Sequence, residues 1–401
     1  MADNQVKLTL TNPVDIARKD ELVVVKSSEL NGIDFNDCSV YVDGKAAACQ
    51  AEDIDFDGKN DSLAFLVDMK AGDSFKAIIK PGKVEISQSL VRAHAEMSIR
   101  ADRPEAKATD QRIADDEFVL KKVIENDPAH EIHDKWYRFE GPLIESEKAG
   151  YRLYWDKRGI MDAYGKTSDM SIGEYHRGNH HTLQPWGRDI LNNPGGALGV
   201  GGLGIGDDTA ERFSPMIAPY SKIIVGNDGP VRASFRFQYN DLEYKGQKYD
   251  MAWDVSMSAG QHYMTQKVHV FNGGELDMMA GLTNFTASPD VDGRYCWARQ
   301  GKLNWVGSYG DQVAPDHDKE KDAVSAEDMG LGLLWKHELS SEMKTTDREF
   351  DVLFKPVTQL EYYSLHAYNY EKESPIMSSE EFYIYMEKLS ICLANPIQVS
   401  F

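Results

Sequence analysis

The sequence predicts an all-β protein, a small N-terminal β-sandwich followed by a large antiparallel β-rich unit. Three observations lead there. Short runs rich in β-branched residues recur through the first hundred positions, divided by Gly, Pro, Asn and Asp. Longer alternating or aromatic-rich runs follow from about position 150. Helix-like periodicity is confined to two segments.

In the N-terminal unit, residues 1–100, the strand candidates are "VKLTLTNP", "ELVVVKS", "CSVYVDGK", "SLAFLVDM" and "SFKAIIKPGKVEI". Their length and spacing suit a sandwich of two packed sheets. Residues 101–122 are charged and weakly apolar and read as a linker, partly helical, overlapping the first helix candidate, "TDQRIADDEFVLKKVIE". From 123 to 401 strands resume in "YRLYWD", "SKIIVGND", "VRASFRFQYNDLEY", "YDMAWDVSMS", "YMTQKVHVFN", "LGLLWKHE", "FDVLFKPV" and "EYYSLHAYNYE". Large stacked antiparallel sheets fit them best. The second helix candidate, "SSEEFYIYMEKLS", opens with serines and a glutamate at capping spacing.

The chain has 401 residues and a formal charge of −21, from 44 Lys and Arg against 65 Asp and Glu. Such a surface repels phosphate backbones, so nucleic acid is excluded as the expected partner. An acidic small ligand needs a local cluster of cations. No apolar run reaches membrane-spanning length. The opening residues lack the basic and apolar regions of a signal peptide, so the expected location is periplasmic or secreted if a leader was removed and cytoplasmic otherwise. The four cysteines form no CxxC pair and read as isolated thiols. Oligomeric state is left open.

Several short patterns bear on function. "GVGGLG" at 199–204 matches GxGxxG without a βαβ context, and "NNPGGALGVGGLGIGDD" reads instead as a glycine-rich loop. "HEIH" at 130–133 is one residue short of a zinc-peptidase motif. Asp53, Asp55, Asp57 and Asp61 around Gly58 stand at calcium-loop spacing, but position twelve is Ala64. They are calcium candidates, with an acidic hairpin turn as the alternative.

The densest chemistry lies in "GEYHRGNHHTLQPWGRDIL", residues 173–191. Tyr175, His176, His180 and His181 can transfer protons, and Arg177 and Arg188 can hold a carboxylate or sulfate. Trp186 offers a flat face for a pyranose, with Asn179 and Asp189 as further polar contacts. A metal cluster would need two or three of the histidines to converge with Glu174 or Asp189. HxxxHH spacing suits that only on a helix, and Gly178 and the turn formers around it argue for a loop. The cofactor expectation is at most a divalent cation, calcium or zinc. Further candidates for substrate contact are Arg152, Arg294, Trp297 and His366.

The segments "TNPVDIARKDELVVV", "DFDGKNDSLAFLVDM", "WYRFEGPLIESEKAGYRLYWDKRGIMDAYGK" and "HHTLQPWGRDILNNPGGALGVGGLGI" resemble a bacterial family of formerly unknown function, encoded among genes for breaking down acidic polysaccharides. The resemblance runs from about residue 7 to the C-terminus. Its most specific mark is Trp-Gly-x-Asp-Ile-Leu followed by Leu-Gly-x-Gly-Gly. The family's Tyr-His pair appears here as His180-His181, and its Trp-Glu-Asn-Asp as Ile144-Glu145-Ser146-Glu147, so that Glu145 and Arg152 match.

That family is similar to an oligosaccharide dehydratase of ulvan breakdown. The resemblance implies a β super-sandwich of galactose-mutarotase type. It also implies loss of water across C4–C5 of a non-reducing-end glucuronic or iduronic acid. On this reading His181 is base or acid, His176 or Tyr175 is its partner, and Arg152, Arg177 or Arg188 neutralises the uronate, with no certain cofactor. A polysaccharide lyase, a mutarotase or epimerase, and a non-catalytic sugar-binding protein are the alternatives.

Overall fold

In a computed structural model the described residues are 5–84, 92–101, 118–127, 130–132, 134–169, 171–172, 180–191, 196–284, 295–311 and 327–401. The chain is all-β, in stacked antiparallel sheets.

The N-terminal sandwich pairs Val6–Thr11, Ser74–Pro81, Cys38–Val42 and Lys45–Ala47 in one sheet and Arg18–Lys26, Ser62–Met69 and Cys49–Glu52 in the other. Leu8, Leu10, Val23, Val25, Phe65 and Ile79 fill the space between them. Alternation sends every second side chain inward, and these apolar positions are therefore buried. The expected division at residue 100 is crossed twice. Ala93–Glu96 pairs with Leu143–Ser146 of the second unit. Gln398–Ser400 returns to pair with Val6–Thr11.

The second unit is built on a nine-stranded sheet, ordered Val123–Glu125, Tyr220–Val225, Arg232–Tyr244, Gln247–Ser258, Tyr263–Asn272, Gln359–Tyr368, Met329–Lys336, Leu303–Gly310 and Tyr295–Arg299. Its apolar face carries Phe235, Phe237, Met251, Trp253, Val255 and Tyr362. Against that face lie two smaller sheets. One is ordered Gly187–Asp189, Met161–Lys166, Ala149–Leu153, Leu143–Ser146 and Ala93–Glu96. The other is ordered Val200–Ile205, Met278–Thr283, Glu349–Phe354 and Ser340–Thr345. One continuous core joins all three sheets. Burial of this apolar area is the main stabilising term, at roughly 25 cal/mol per Å² removed from water.

The helix Ser379–Ala394 forms where the capping serines predict it, with Ser378 Oγ accepting from the Glu381 N–H at 3.2 Å. Phe382, Met386 and Leu389 pack it on the other face of the nine-stranded sheet, over Trp305, Leu334 and Leu365. The first helix candidate is corrected over 118–125, which forms the strands Phe118–Leu120 and Val123–Glu125; the linker residues 102–117 lie outside the described residues. The glycine-rich stretch is corrected as well: Val200–Ile205 is a buried strand. Gly201 has φ +80° at a register shift, and a Cβ there would meet Ser364 Cβ at 2.3 Å. Glycine is required there by backbone conformation and close packing, so the glycines at 200–205 do not mark a loop.

Candidate active site

The five-stranded sheet has two unlike faces, and the pleat decides which residues meet. Tyr151, Leu153, Met161, Ala163 and Ile190 point into the shared core. Their neighbours in sequence, Arg152, Asp162, Tyr164 and Asp189, therefore point the other way. Register brings them together, because Arg152 pairs with Asp162 and Tyr164 with Asp189 across adjacent strands. Phe139, Leu143, Tyr164, Ile172 and Trp186 form a small apolar cluster on this outer side and shield the polar group.

Arg152 is the hub. Its Nε and Nη2 donate to Asp162 Oδ2 at 3.0 and 2.8 Å, and Nη2 also donates to Asp189 Oδ2 at 3.1 Å. The Tyr154 hydroxyl bonds to the same guanidinium and donates to Asp162 Oδ2 at 3.1 Å. The guanidinium carbon sits 4.5 Å from the Tyr154 ring centre and 5.3 Å from that of Tyr164. Glu140 lies 3.9 Å from Arg152 and 3.5 Å from Arg158, whose own partner is Asp156 at 2.5 Å.

The turn before Gly187–Asp189 brings two imidazoles to this group. His181 Nδ1 is 3.5 Å and His180 Nε2 is 3.8 Å from Asp189 Oδ2, and the two rings are 4.2 Å apart. Nitrogen and oxygen atoms of His180, His181 and Asp189 all lie within 4.8 Å of one another. Asp189 is buried while both imidazoles are partly exposed, so the rings form the solvent-side wall of the site. Burial first, and then Asp162, push the Asp189 carboxyl well above its ordinary value, against the pull of Arg152. Burial likewise raises the Tyr154 and Tyr164 hydroxyls, against the opposing charge of Arg152.

A second ion pair braces the same face. Lys166 Nζ donates to Glu145 Oε2 at 2.7 Å, and Glu145 also accepts from Ser171 Oγ at 2.7 Å and the Ile172 N–H at 2.9 Å. Burial raises the Glu145 carboxyl, but Lys166 and His94 outweigh it and the carboxylate stays below its ordinary value. Glu145, matched by the family resemblance, thus anchors Ser171 and Ile172.

Of the sequence candidates, Arg152, His180, His181 and Asp189 are brought together. Tyr175, His176, Arg177, Asn179 and Arg294 lie outside the described residues. Four others are corrected. Arg188, one residue from Asp189, points into the core, where it pairs with Glu327 beside Tyr368. Trp186 is 0% exposed in the small apolar cluster and presents no face to a sugar. His366 is buried between the sheets, its Nε2 3.3 Å from the Gly150 carbonyl; burial pushes its imidazole down to about 4. Trp297 packs on Tyr383 and Phe382 of the helix, on the far face of the nine-stranded sheet.

Asp53, Asp55 and Asp61 bring their carboxylates within 4.8 Å of one another, while Asp57 stands outside that group. Asp53 and Asp55 accept from the Asp57 N–H, and Asp53 from the Gly58 N–H, the pattern of an acidic turn. In "HEIH", His130 pairs with Asp134 at 2.6 Å and His133 is outside the described residues.

Tyr154, Asp162, Tyr164 and Glu140 were missed as site residues. The available signal was alternation: Asp162 and Tyr164 are spaced by two within one strand, and Arg152 and Tyr154 by two at the end of its neighbour. A cavity of about 1570 Å³ lies elsewhere, between the N-terminal sandwich and the polar face of the nine-stranded sheet, and includes Arg236, Asp254, Lys267 and Tyr363. The histidine group is not part of its lining. The convergent titratable groups, rather than this crevice, are the candidate site.

No curated protein matches the chain. Among solved structures, it is similar to an alpha-mannosidase from Enterococcus faecalis, at TM-score 0.48 and 10% identity, covering 100% of this chain and 46% of that one. A protein in glycosyl hydrolase family 38 from Enterococcus faecalis gives TM-score 0.48 and 10% identity, with 100% and 48% covered. The chain spans about half the length of these structures. Residues 10–399 match the family described as a domain of unknown function, DUF4861, and the chain belongs to that family.

Proposed function

We propose that this protein is an oligosaccharide dehydratase. It removes water across C4–C5 of a non-reducing-end glucuronic or iduronic acid, as in ulvan-type oligosaccharides, and leaves a 4,5-unsaturated uronyl residue. The observation that supports this reading is the seating of two accessible imidazoles on a buried carboxylate tied to a guanidinium.

The C5 hydrogen of a uronate is weakly acidic because the adjacent carboxylate is already negative. Its removal needs positive charge on that carboxylate and a group that takes the proton. The hydroxyl at C4 leaves only if a proton is delivered to it. The His180–His181–Asp189 wall offers proton-handling and electrophilic capacity together. Arg152, held by Asp162 and Asp189, positions that wall rather than reaching for substrate.

The test is incubation with saturated uronic-acid oligosaccharides, followed by ultraviolet absorbance and mass spectrometry. Loss of one water per chain, without cleavage, is expected. Cleavage with new absorbance would assign a polysaccharide lyase instead. Binding without change in mass would assign a sugar-binding protein.

A further inference from the structure

We propose that His180, His181 and Asp189 hold a divalent cation of the zinc class. This rests on the dehydratase reading and assigns the histidine pair's role within it.

Three features carry the inference. The first is geometry: two imidazole nitrogens stand 3.5 and 3.8 Å from one carboxylate oxygen. A tetrahedral ion with ligand bonds of about 2.0–2.1 Å needs donor separations of about 3.3 Å. Both imidazole–carboxylate separations are close to that, and all three donors lie within 4.8 Å of one another. The second is ligand type. Two imidazoles and one carboxylate, with a partly exposed side left open, match a catalytic rather than a structural zinc site. The third is charge. Glu140, Asp156, Asp162 and Asp189 share the guanidiniums of Arg152 and Arg158, four carboxylates to two cations. A divalent ion beside Asp189 balances that surplus in a site where unpaired buried charge is costly. Among the described residues, the cations expected to meet the uronate, Arg152 and Arg188, are both committed to carboxylates.

The ion supplies the missing electrophile. Held by His180, His181 and Asp189, such an ion would polarise the uronate carboxylate and lower the pKa of a water so that hydroxide is available as the base. The hydroxide takes the C5 proton and becomes water, and the C5–H pair moves toward the carboxylate. That pair then forms the C4–C5 double bond as the C4–O bond breaks. The departing hydroxide takes a proton from that water, so one water is released and the hydroxide base is restored.

The experiment uses tag-free protein, metal analysis of the purified chain, and titration of chelator-treated protein with Zn²⁺ and with Co²⁺. One bound equivalent is expected, with visible Co²⁺ absorption of a low-coordinate site. His180→Gln and His181→Gln should weaken affinity by roughly a hundredfold or more, while Asp55→Asn leaves it unchanged. Wild-type protein that neither carries nor binds an ion at micromolar concentration overturns the proposal, even if it dehydrates uronates. So does binding that survives both histidine changes but is lost in Asp55→Asn. A histidine-dependent ion in a protein that alters no uronate leaves the metal site standing and overturns the dehydratase reading. Because the metal content of the unaltered chain is read directly, misfolding of a variant does not decide the result.

Discussion

Arg152 and Asp162 face each other in register on adjacent antiparallel strands, and two guanidinium nitrogens, Nε and Nη2, lie 3.0 and 2.8 Å from one carboxylate oxygen. The pair is buried, and it holds Asp189, which in turn seats the imidazoles. Replacing Arg152 by Met leaves Asp162 and Asp189 facing each other without their cation. A loss of about 3–5 kcal/mol is expected in urea unfolding. Arg152→Lys keeps the charge but not the planar fork, and should retain part of that stability.

His181 occupies the accessible side of the site, its side chain 37% exposed. His181→Ala is expected to lower kcat/KM for uronate dehydration by about 10²–10³-fold, the scale of removing one acid–base or electrophilic group. Its melting temperature should stay close to that of the unaltered protein, because little packing is lost. Full activity in this variant would remove His181 from the reaction.

Trp186 separates the sequence expectation from the structure. A sugar platform would respond to Trp186→Ala with a raised KM and unchanged stability. The buried indole packed on Tyr164, ring centres 5.6 Å apart, predicts the reverse. Unfolding free energy should fall by about 3–5 kcal/mol, measured by denaturant titration.

Glu349 gives a pH signature away from the histidines. Burial and the neighbouring Asp351 push its carboxyl from an ordinary 4.5 up to about 7, against Arg212. Between these values the folded state retains a proton that the unfolded state has released, so stability falls as pH rises through the window. The contribution is fully present below about 4.5 and lost above about 7. Thermal melts of Glu349→Gln across that range should show a shallower decline than the unaltered chain. Parallel profiles would show that Glu349 does not titrate there.

The all-β class was legible because alternation and turn formers act over a few residues, the same range over which strands form. The capped helix at Ser379–Ala394 was legible for the same reason. So was the neighbourhood of the site, since His180, His181 and Asp189 lie within ten positions of each other and near the chain turn that gathers them. Tertiary structure decided which way each residue pointed. Asp189 faces the imidazoles and Arg188 faces Glu327, because consecutive side chains leave opposite faces of a strand. The hub Arg152–Asp162 depends on strand register, and the partner of Val6–Thr11 comes from the other end of the chain. Pairing over such separations is selected by packing of the whole core, which no local pattern contains.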